Sequence, residues 1–414
     1  MKKFFRRNQF LALIISFVAI LLMSQIVEAK QTITGLIMAN TFLTTKSIAR
    51  EALVSLRNQL VMKFLVYPDF SNTFQKEGDT IRIKKPTMLE AKMFQSEIEI
   101  QNINQVSEEV TLNYLPDVSV NWTSKERSLN LSDFKTDILD PAMLAISEKV
   151  DEMIFSDFYP FVPNYVGESG VTPDDLTDFS NAAKVLNDVK CPVSGRNAVW
   201  NTSANAKFST ISAIVNAEKS GSTEALREGN IGRIMGLNNY WSQKVQTHVA
   251  GSFTAVTSPK VNTATVKGSY TIILKGGSGT ETIKKGDIFS LITEGKSYSY
   301  AAAADANAVS GVVSIATSTA IGAVHAVDTE ITFPDKTTGG HVANLAFVPQ
   351  ACSLVTRPLE IPTSVKEGYI ISYDGLSLRV ITGYDIKTKT EILSMDMLFG
   401  VKATRPELAV RILG

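Results

Sequence analysis

The chain has 414 residues, with 41 Lys and Arg against 41 Asp and Glu and a hydrophobic share of 44%. That length and balance describe a globular chain of more than one domain, and they exclude disorder and a generally basic nucleic-acid binder. Two cysteines and three histidines provide no disulfide framework, no CxxC zinc pair and little material for a histidine-based metal site.

Lys2, Lys3, Arg6 and Arg7 precede an apolar run from Phe10 to Met23, with Val27-Glu28-Ala29 as a candidate cleavage site. This is the grammar of a secretory signal, and the run is short for a spanning helix. A second reading starts the protein at Met38 and treats residues 1–37 as an over-extended gene reading. Without the charges of residues 1–37 the remainder is slightly acidic, which removes any bulk attraction for DNA or acidic membranes.

From Lys46 to Leu65, Ile48, Ala52, Leu56 and Leu60 recur every four positions and predict an amphipathic helix ending before Tyr67-Pro68. Ile81 and Ile83 alternate with charged neighbours, as do Ile98 and Ile100; Val110, Leu112 and Tyr114 alternate further on, then Val118, Val120 and Trp122. The polar stretch from Pro86 to Ser107 between them predicts a long antiparallel hairpin that reaches into solvent and needs a partner surface. Ser132 and Asp133 open a helical region whose stripe is Ile138, Ala142, Ile146, Val150 and Met153, with Asp140-Pro141 as a fresh start or a kink. Thr172-Pro173-Asp174-Asp175 caps a helix through Leu186; Ala198 to Trp200 predicts a buried strand, Ala204 to Ala217 a helix, and Glu224 to Arg227 a helical turn.

At about His248 the composition changes. Residues 251–340 are rich in Ser, Thr, Gly, Ala and Val, with strand candidates at Tyr270–Leu274, Asp287–Ile292, Lys296–Tyr300, Gly311–Ile315, Ala323–Val327 and Glu330–Phe333. That spacing predicts a small β-barrel or sandwich inserted into a host whose texture resumes at Leu345. The tail predicts strands at Tyr369–Tyr373, Leu378–Tyr384, Glu391–Gly400 and Leu408–Ile412.

No motif points to catalysis. Gly276-Gly277-Ser278-Gly279 lacks the Lys-Ser/Thr of a phosphate cradle and reads as a hairpin loop, and Gly229-Asn230-Ile231-Gly232 lacks the context of a nucleotide fingerprint. The adjacent carboxylates Asp174-Asp175 and Glu108-Glu109 read as a first helical turn and a solvated strand end. His325 and His341 could meet, but without a third ligand they read as surface or turn histidines. Cys191 and Cys352 read as buried free thiols, and Trp122, Trp200 and Trp241 as core residues. No catalytic, cofactor-binding or metal residue is assigned, and no cofactor is expected.

Gly400-Val401-Lys402-Ala403-Thr404-Arg405-Pro406-Glu407 resembles the C-terminal strand and Arg-Pro-Glu signature of tailed-bacteriophage major coat proteins with the Hong Kong-type capsid fold. Ile283-Lys284-Lys285-Gly286-Asp287 resembles a turn and strand of the podoviral members that carry an inserted β domain. Met38-Ala39-Asn40-Thr41-Phe42 with Ile48-Ala49-Arg50-Glu51-Ala52 is similar to the start of many prophage coat proteins.

The resemblance covers Met38 to Gly414 and implies an α+β fold. Its parts are an N-terminal arm at 38–78, an extended E-loop hairpin at 79–125 lying over a neighbouring subunit, and a peripheral domain with a spine helix at 126–165. An axial domain follows at 166–250 and 343–400, interrupted by a barrel-like β domain at 251–342, with a C-terminal strand at 401–414. The implied function is a major capsid protein, not an enzyme. It would form the hexamers and pentamers of an icosahedral shell, with scaffolding and portal proteins as partners, non-specific contact with packaged double-stranded DNA and no membrane. The expected location is the virion, assembled in the bacterial cytoplasm, which favours the Met38 start. The alternative is a secreted β-rich surface or adhesion protein; an unrecognised hydrolase is the third reading.

Overall fold

A computed structural model of the chain describes residues 45–68, 80–84, 107–122, 135–216, 227–363, 365, 367–385 and 390–414. The leader at 1–37, the Met38 start, both ends of the arm at 38–78, Ile98 and Ile100 and the turn at 224–226 lie outside the described residues.

Helix α1 (Thr45–Gln59) buries Ile48, Ala49, Ala52, Leu53 and Leu56, the face that its four-residue spacing prescribes. Residues 135–139 form a π turn that leads into helix α2 (Asp140–Phe158), with Pro141 in the first turn. The Asp140-Pro141 pair thus marks the place where the π turn passes into α2, with Pro141, which has no N–H to donate, in the first α-helical turn. The buried stripe of α2 runs through Ala142, Met143, Ile146, Val150, Ile154, Phe155 and Phe158, whereas Ile138 and Met153 are only partly buried. Helix α3 (Leu176–Asp188) begins at Asp175, whose side chain accepts the Leu176 N–H and completes a capping box with Asp178.

The helix expected from Ala204 to Ala217 is two short pieces among the described residues, Thr202–Phe208 and Ser212–Val215. Between them the Ser209 hydroxyl donates to the Asn205 carbonyl at 2.8 Å and the Thr210 hydroxyl to the Lys207 carbonyl at 2.7 Å. Such local bonds compete with helix continuation.

The body is built on a seven-stranded mixed sheet ordered Asn164–Val166, Ala409–Leu413, Gly340–Phe347, Asn197–Trp200, Leu237–Trp241 and Arg233–Ile234, with Thr247–Val249 paired to the start of Gly340–Phe347. The last strand of the chain is therefore interior to the sheet. Phe179, Trp200 and Phe208 pack against one another with ring centroids 4.5–4.9 Å apart, and the Trp200 indole N–H donates to Asn239 Oδ1 at 3.0 Å. A second, four-stranded antiparallel sheet runs Glu367–Tyr373, Leu376–Asp385, Thr390–Asp396 and Asp117–Trp122, and α1 packs on both α2 and this sheet.

One apolar cluster joins α1, α2, α3 and the body strands from Ile48 to Ile412. A separate cluster draws only on residues between Phe253 and Phe333. That segment carries two three-stranded sheets, Val312–Ala316/Thr271–Lys275/Lys260–Val261 and Lys296–Ala301/Ile288–Thr293/Ile331–Thr332, and a two-stranded pair. The α+β class is as expected, with an all-β segment inside it; its sheets do not close into a barrel. Ala323–Val327 is not a strand, because the Thr265 N–H donates to the His325 carbonyl while the Thr265 hydroxyl accepts the His325 N–H, closing a local loop in place of a ladder. Gly276–Gly279 is not a hairpin either, since the strands before and after it belong to different sheets.

The hairpin expected at 79–125 is described at its root. Thr80–Lys84 pairs antiparallel with Ser107–Thr111, placing Ile81 opposite Val110; residues 85–106 lie outside the described residues. The root crosses the strand Leu398–Ala403 at Gly400, where an added Cβ would lie 2.4 Å from the Thr111 carbonyl oxygen. Overpacking of this kind costs about 1–3 kcal/mol. Gly400→Ala should lower the urea midpoint accordingly, whereas Gly383→Ala, in open space within its strand, should change stability by less than about 0.5 kcal/mol.

Candidate functional site

The sequence assigned no site, and the residues it singled out are dispersed by the fold. Cys191 and Cys352 are free and buried, and burial raises both thiols above their ordinary value, so neither is an activated nucleophile. Trp200 is fully buried, but Trp241 is 46% exposed. It ends its strand where the polypeptide leaves the sheet, which corrects its reading as a core residue; the side chain of Trp122 lies outside the described residues. Asp174 and Asp175 are exposed at the start of α3, and Glu109 is exposed. Glu281 accepts from the Ser278 hydroxyl and from the Ser278 and Gly279 N–H groups, which hold it down to about 2, so the glycine loop is folded around its own carboxylate.

The histidines are the clearest departure from expectation. All three are buried. His325 sits in the β segment between the Thr293 hydroxyl at 2.6 Å and the Tyr300 hydroxyl at 3.0 Å, and burial lowers its pKa. It does not meet His341. Instead His341 meets His248, opposite it in the strand register, with ring centroids 5.2 Å apart.

This pair forms the centre of a buried polar cluster where the β segment joins the body. His248 Nε2 lies 2.8 Å from Asp287 Oδ1, and Asp287 also accepts the Gly251 N–H at 3.1 Å and the Lys284 N–H at 2.7 Å. His341 Nδ1 lies 2.9 and 3.0 Å from the two Asp335 oxygens, and the Ser169 hydroxyl donates to Asp335 at 2.6 Å. Arg411, fully buried in the last strand, donates to the carbonyls of Gly286 at 2.8 Å, Tyr159 at 2.7 Å and Val162 at 3.0 Å. Its Nη1 also faces His341 Nε2 at 3.4 Å.

Burial pushes His341 down to about 4, aided by Arg411 and His248 and opposed by the hydrogen bond to Asp335. Burial alone would raise Asp335, but the bonds from His341 and Ser169 hold it below the ordinary carboxylate value. The two shifts agree on one state, an ionised Asp335 accepting from the Nδ1–H of a neutral His341. Desolvation brings Arg411 down to about 10, still cationic at neutral pH. Nothing in the sequence adjoins these residues; the available signal was a charged or titratable residue inside an otherwise apolar strand, as in Ala409-Val410-Arg411-Ile412-Leu413.

Clefts open on the surface formed by the described residues. One, of about 640 Å³, lies between the β segment and the body and is lined by Tyr270, Ser318, Phe161 and Lys402 among others. Another, of about 540 Å³, lies between α2 and the strand end at Trp241 and exposes Leu144, Tyr240 and Trp241. Beneath it Asp151 accepts the Val61 N–H at 3.1 Å and the Met62 N–H at 3.2 Å, tying the end of α1 to α2. Among the described residues no group of three or more His, Cys, Asp or Glu is placed to hold a metal ion, and no helix is long and apolar enough to cross a membrane.

No protein-family model matches the chain and no curated protein matches it. Solved structures similar to it include one from Mycobacterium phage Che8, with a TM-score of 0.47 and 14% identity, covering 86% of this chain and 91% of that one. The capsid of cyanophage P-SCSP1u gives 0.42 and 11%, with coverage of 81% and 84%. The capsid of Ralstonia phage GP4 gives 0.41 and 10%, with coverage of 81% and 83%.

Burial pushes the Asp151 carboxyl up to about 7, against the lowering effect of its two backbone bonds. The folded state thus keeps a proton that the unfolded chain releases near pH 4, and this contribution is full below that value and lost as pH rises through about 7. Urea unfolding should show about 1 kcal/mol of stability lost between roughly pH 6 and pH 8 from this group. Asp151→Asn should flatten that part of the profile.

Proposed function

We propose that this chain is the major capsid protein of a tailed phage or prophage, assembling with copies of itself into an icosahedral shell around double-stranded DNA. The observation that carries the reading is the antiparallel pairing of Thr80–Lys84 with Ser107–Thr111, which falls in chain order between α1 and the long helix α2. This is the order of parts that the sequence resemblance implies, from amphipathic helix through hairpin, spine helix and interrupted body to terminal strand. An arm with little core of its own gains stability by lying on a neighbour, and closed symmetry repeats each modest contact around the shell. The half-exposed Tyr240 and Trp241 are residue types that concentrate binding energy at interfaces.

Virion location, cytoplasmic assembly, and scaffolding, portal and DNA partners belong to the same proposal, as does a structural and non-enzymatic role. Purified protein examined by electron microscopy and sedimentation should form closed shells; a monomer under all assembly conditions would count against the reading. Deleting Met88–Gln105 should leave soluble protein that forms no shells, and normal particles from that variant would remove the role given to the arm.

The division of the chain is part of the proposal: a peripheral unit around α2, an axial unit from 166–250 and 343–400, and an independent β unit at 251–342. The separate apolar cluster between Phe253 and Phe333 supports it. Expressed alone, residues 251–342 should give dispersed amide signals and a cooperative melt, and a random-coil spectrum would reject the boundary.

A further inference from the structure

The chain enters the β segment along Thr247–Val249 and leaves it along Gly340–Phe347, and the two strands pair directly, Val249 with Gly340 and His248 with His341. This neck is closely built. A Cβ on Gly340, at a φ of +156°, would lie 2.2 Å from the His248 carbonyl oxygen, so only glycine lets the strands approach this far. The cluster of two histidines, two carboxylates and one guanidinium is sealed inside the neck, and its bonds cross from the body to the β segment. Arg411 and His248 belong to body strands, while Gly286 and Asp287 belong to the segment.

The hydrogen-bond directions leave one nitrogen exposed to conflict. His341 spends its Nδ1–H on Asp335, so Nε2 must present its lone pair to the Arg411 N–H. A proton on Nε2 would set donor against donor and cation against cation at 3.4 Å. His248 adds a second imidazole at 5.2 Å on the other side, with Asp287 behind it and the Tyr159 ring packed over both His248 and Arg411. Asp335 already accepts from Ser169, which also contacts Thr338 and the Gly340 carbonyl. Asp335 attracts the extra proton, but that proton has no acceptor while the neck stays shut.

We propose that the neck is an acid-sensitive latch: with His341 neutral, Arg411 ties the β segment to the body, and a second proton on His341 opens the tie and frees the segment while the body stays folded. The latch does not depend on what the chain assembles into. Opening hydrates His341 and restores its ordinary affinity for a proton, so the open form gains population below about pH 6.5.

Hydrogen exchange on the full-length protein tests this, with protection corrected for the intrinsic pH effect. The Ala250 amide bonds the Gly339 carbonyl and the Gly251 amide bonds Asp287, so both report on the neck; Ala346 and Val410 in the body sheet are the reference. Between about pH 7 and pH 4.5 the neck amides should lose about tenfold or more in protection while the reference amides hold. His341→Asn, which keeps a donor towards Asp335 and takes no proton, should abolish the loss. Unchanged neck protection in the wild type, equal loss in neck and body, or an undiminished loss in His341→Asn would each overturn the latch. If that variant does not fold, the wild-type comparison decides alone.

Discussion

The position of the last strand governs the rest of the molecule. Ala409–Leu413 lies inside the seven-stranded sheet, parallel to Asn164–Val166 on one side and antiparallel to Gly340–Phe347 on the other. Each pairing closes a large loop of chain, so its entropy cost must be met before the contacts reward it. The body sheet therefore cannot be completed until Ala409–Leu413 is available. Every residue of the strand is buried, so the hydrophobic return is concentrated where the closure cost is greatest.

Arg411 makes this strand more than an apolar filler. A guanidinium removed from water is tolerated only where its donors are matched, and here they meet carbonyls from the turn after α2, from Val162 and from the β segment. Two parts of the chain far apart in sequence, the turn at Tyr159–Val162 and the β segment at Gly286, are thus held to one planar group of the last strand. The rigid fork of Arg suits this task, whereas a Lys ammonium would reach fewer of the carbonyls at once. The Nε of Arg411 is buried without a partner, a local cost accepted in a site otherwise well satisfied.

The β segment is bracketed by one strand pair, Thr247–Val249 with the start of Gly340–Phe347, so holding its ends together adds little closure entropy. Its apolar cluster is its own, and a buried polar cluster links it to the body. A junction of that kind is specific in geometry and sensitive to charge.

Sequence alone determined the local elements whose physics is local. The four-residue spacing of Ile48, Ala52 and Leu56 set α1 and the Asp175 cap set α3, because periodicity and capping act within a few residues. The α+β class was legible for the same reason, from helical and strand-like spacings that each act locally along the chain. The single strand expected at Glu391–Gly400 is two, Thr390–Asp396 and Leu398–Ala403, which belong to different sheets. Tertiary structure decided what depends on distant partners. It split the helix after Phe208 and denied a strand to Ala323–Val327 through side-chain hydroxyls that found nearer partners than a ladder offered. It left Trp241 at the surface, because a tryptophan does not announce which end of its strand leaves the sheet. Above all it brought His248, Asp287, Asp335, His341 and Arg411 together; each alone reads as an ordinary polar residue, and only the closing of the sheet by the last strand removes them jointly from water.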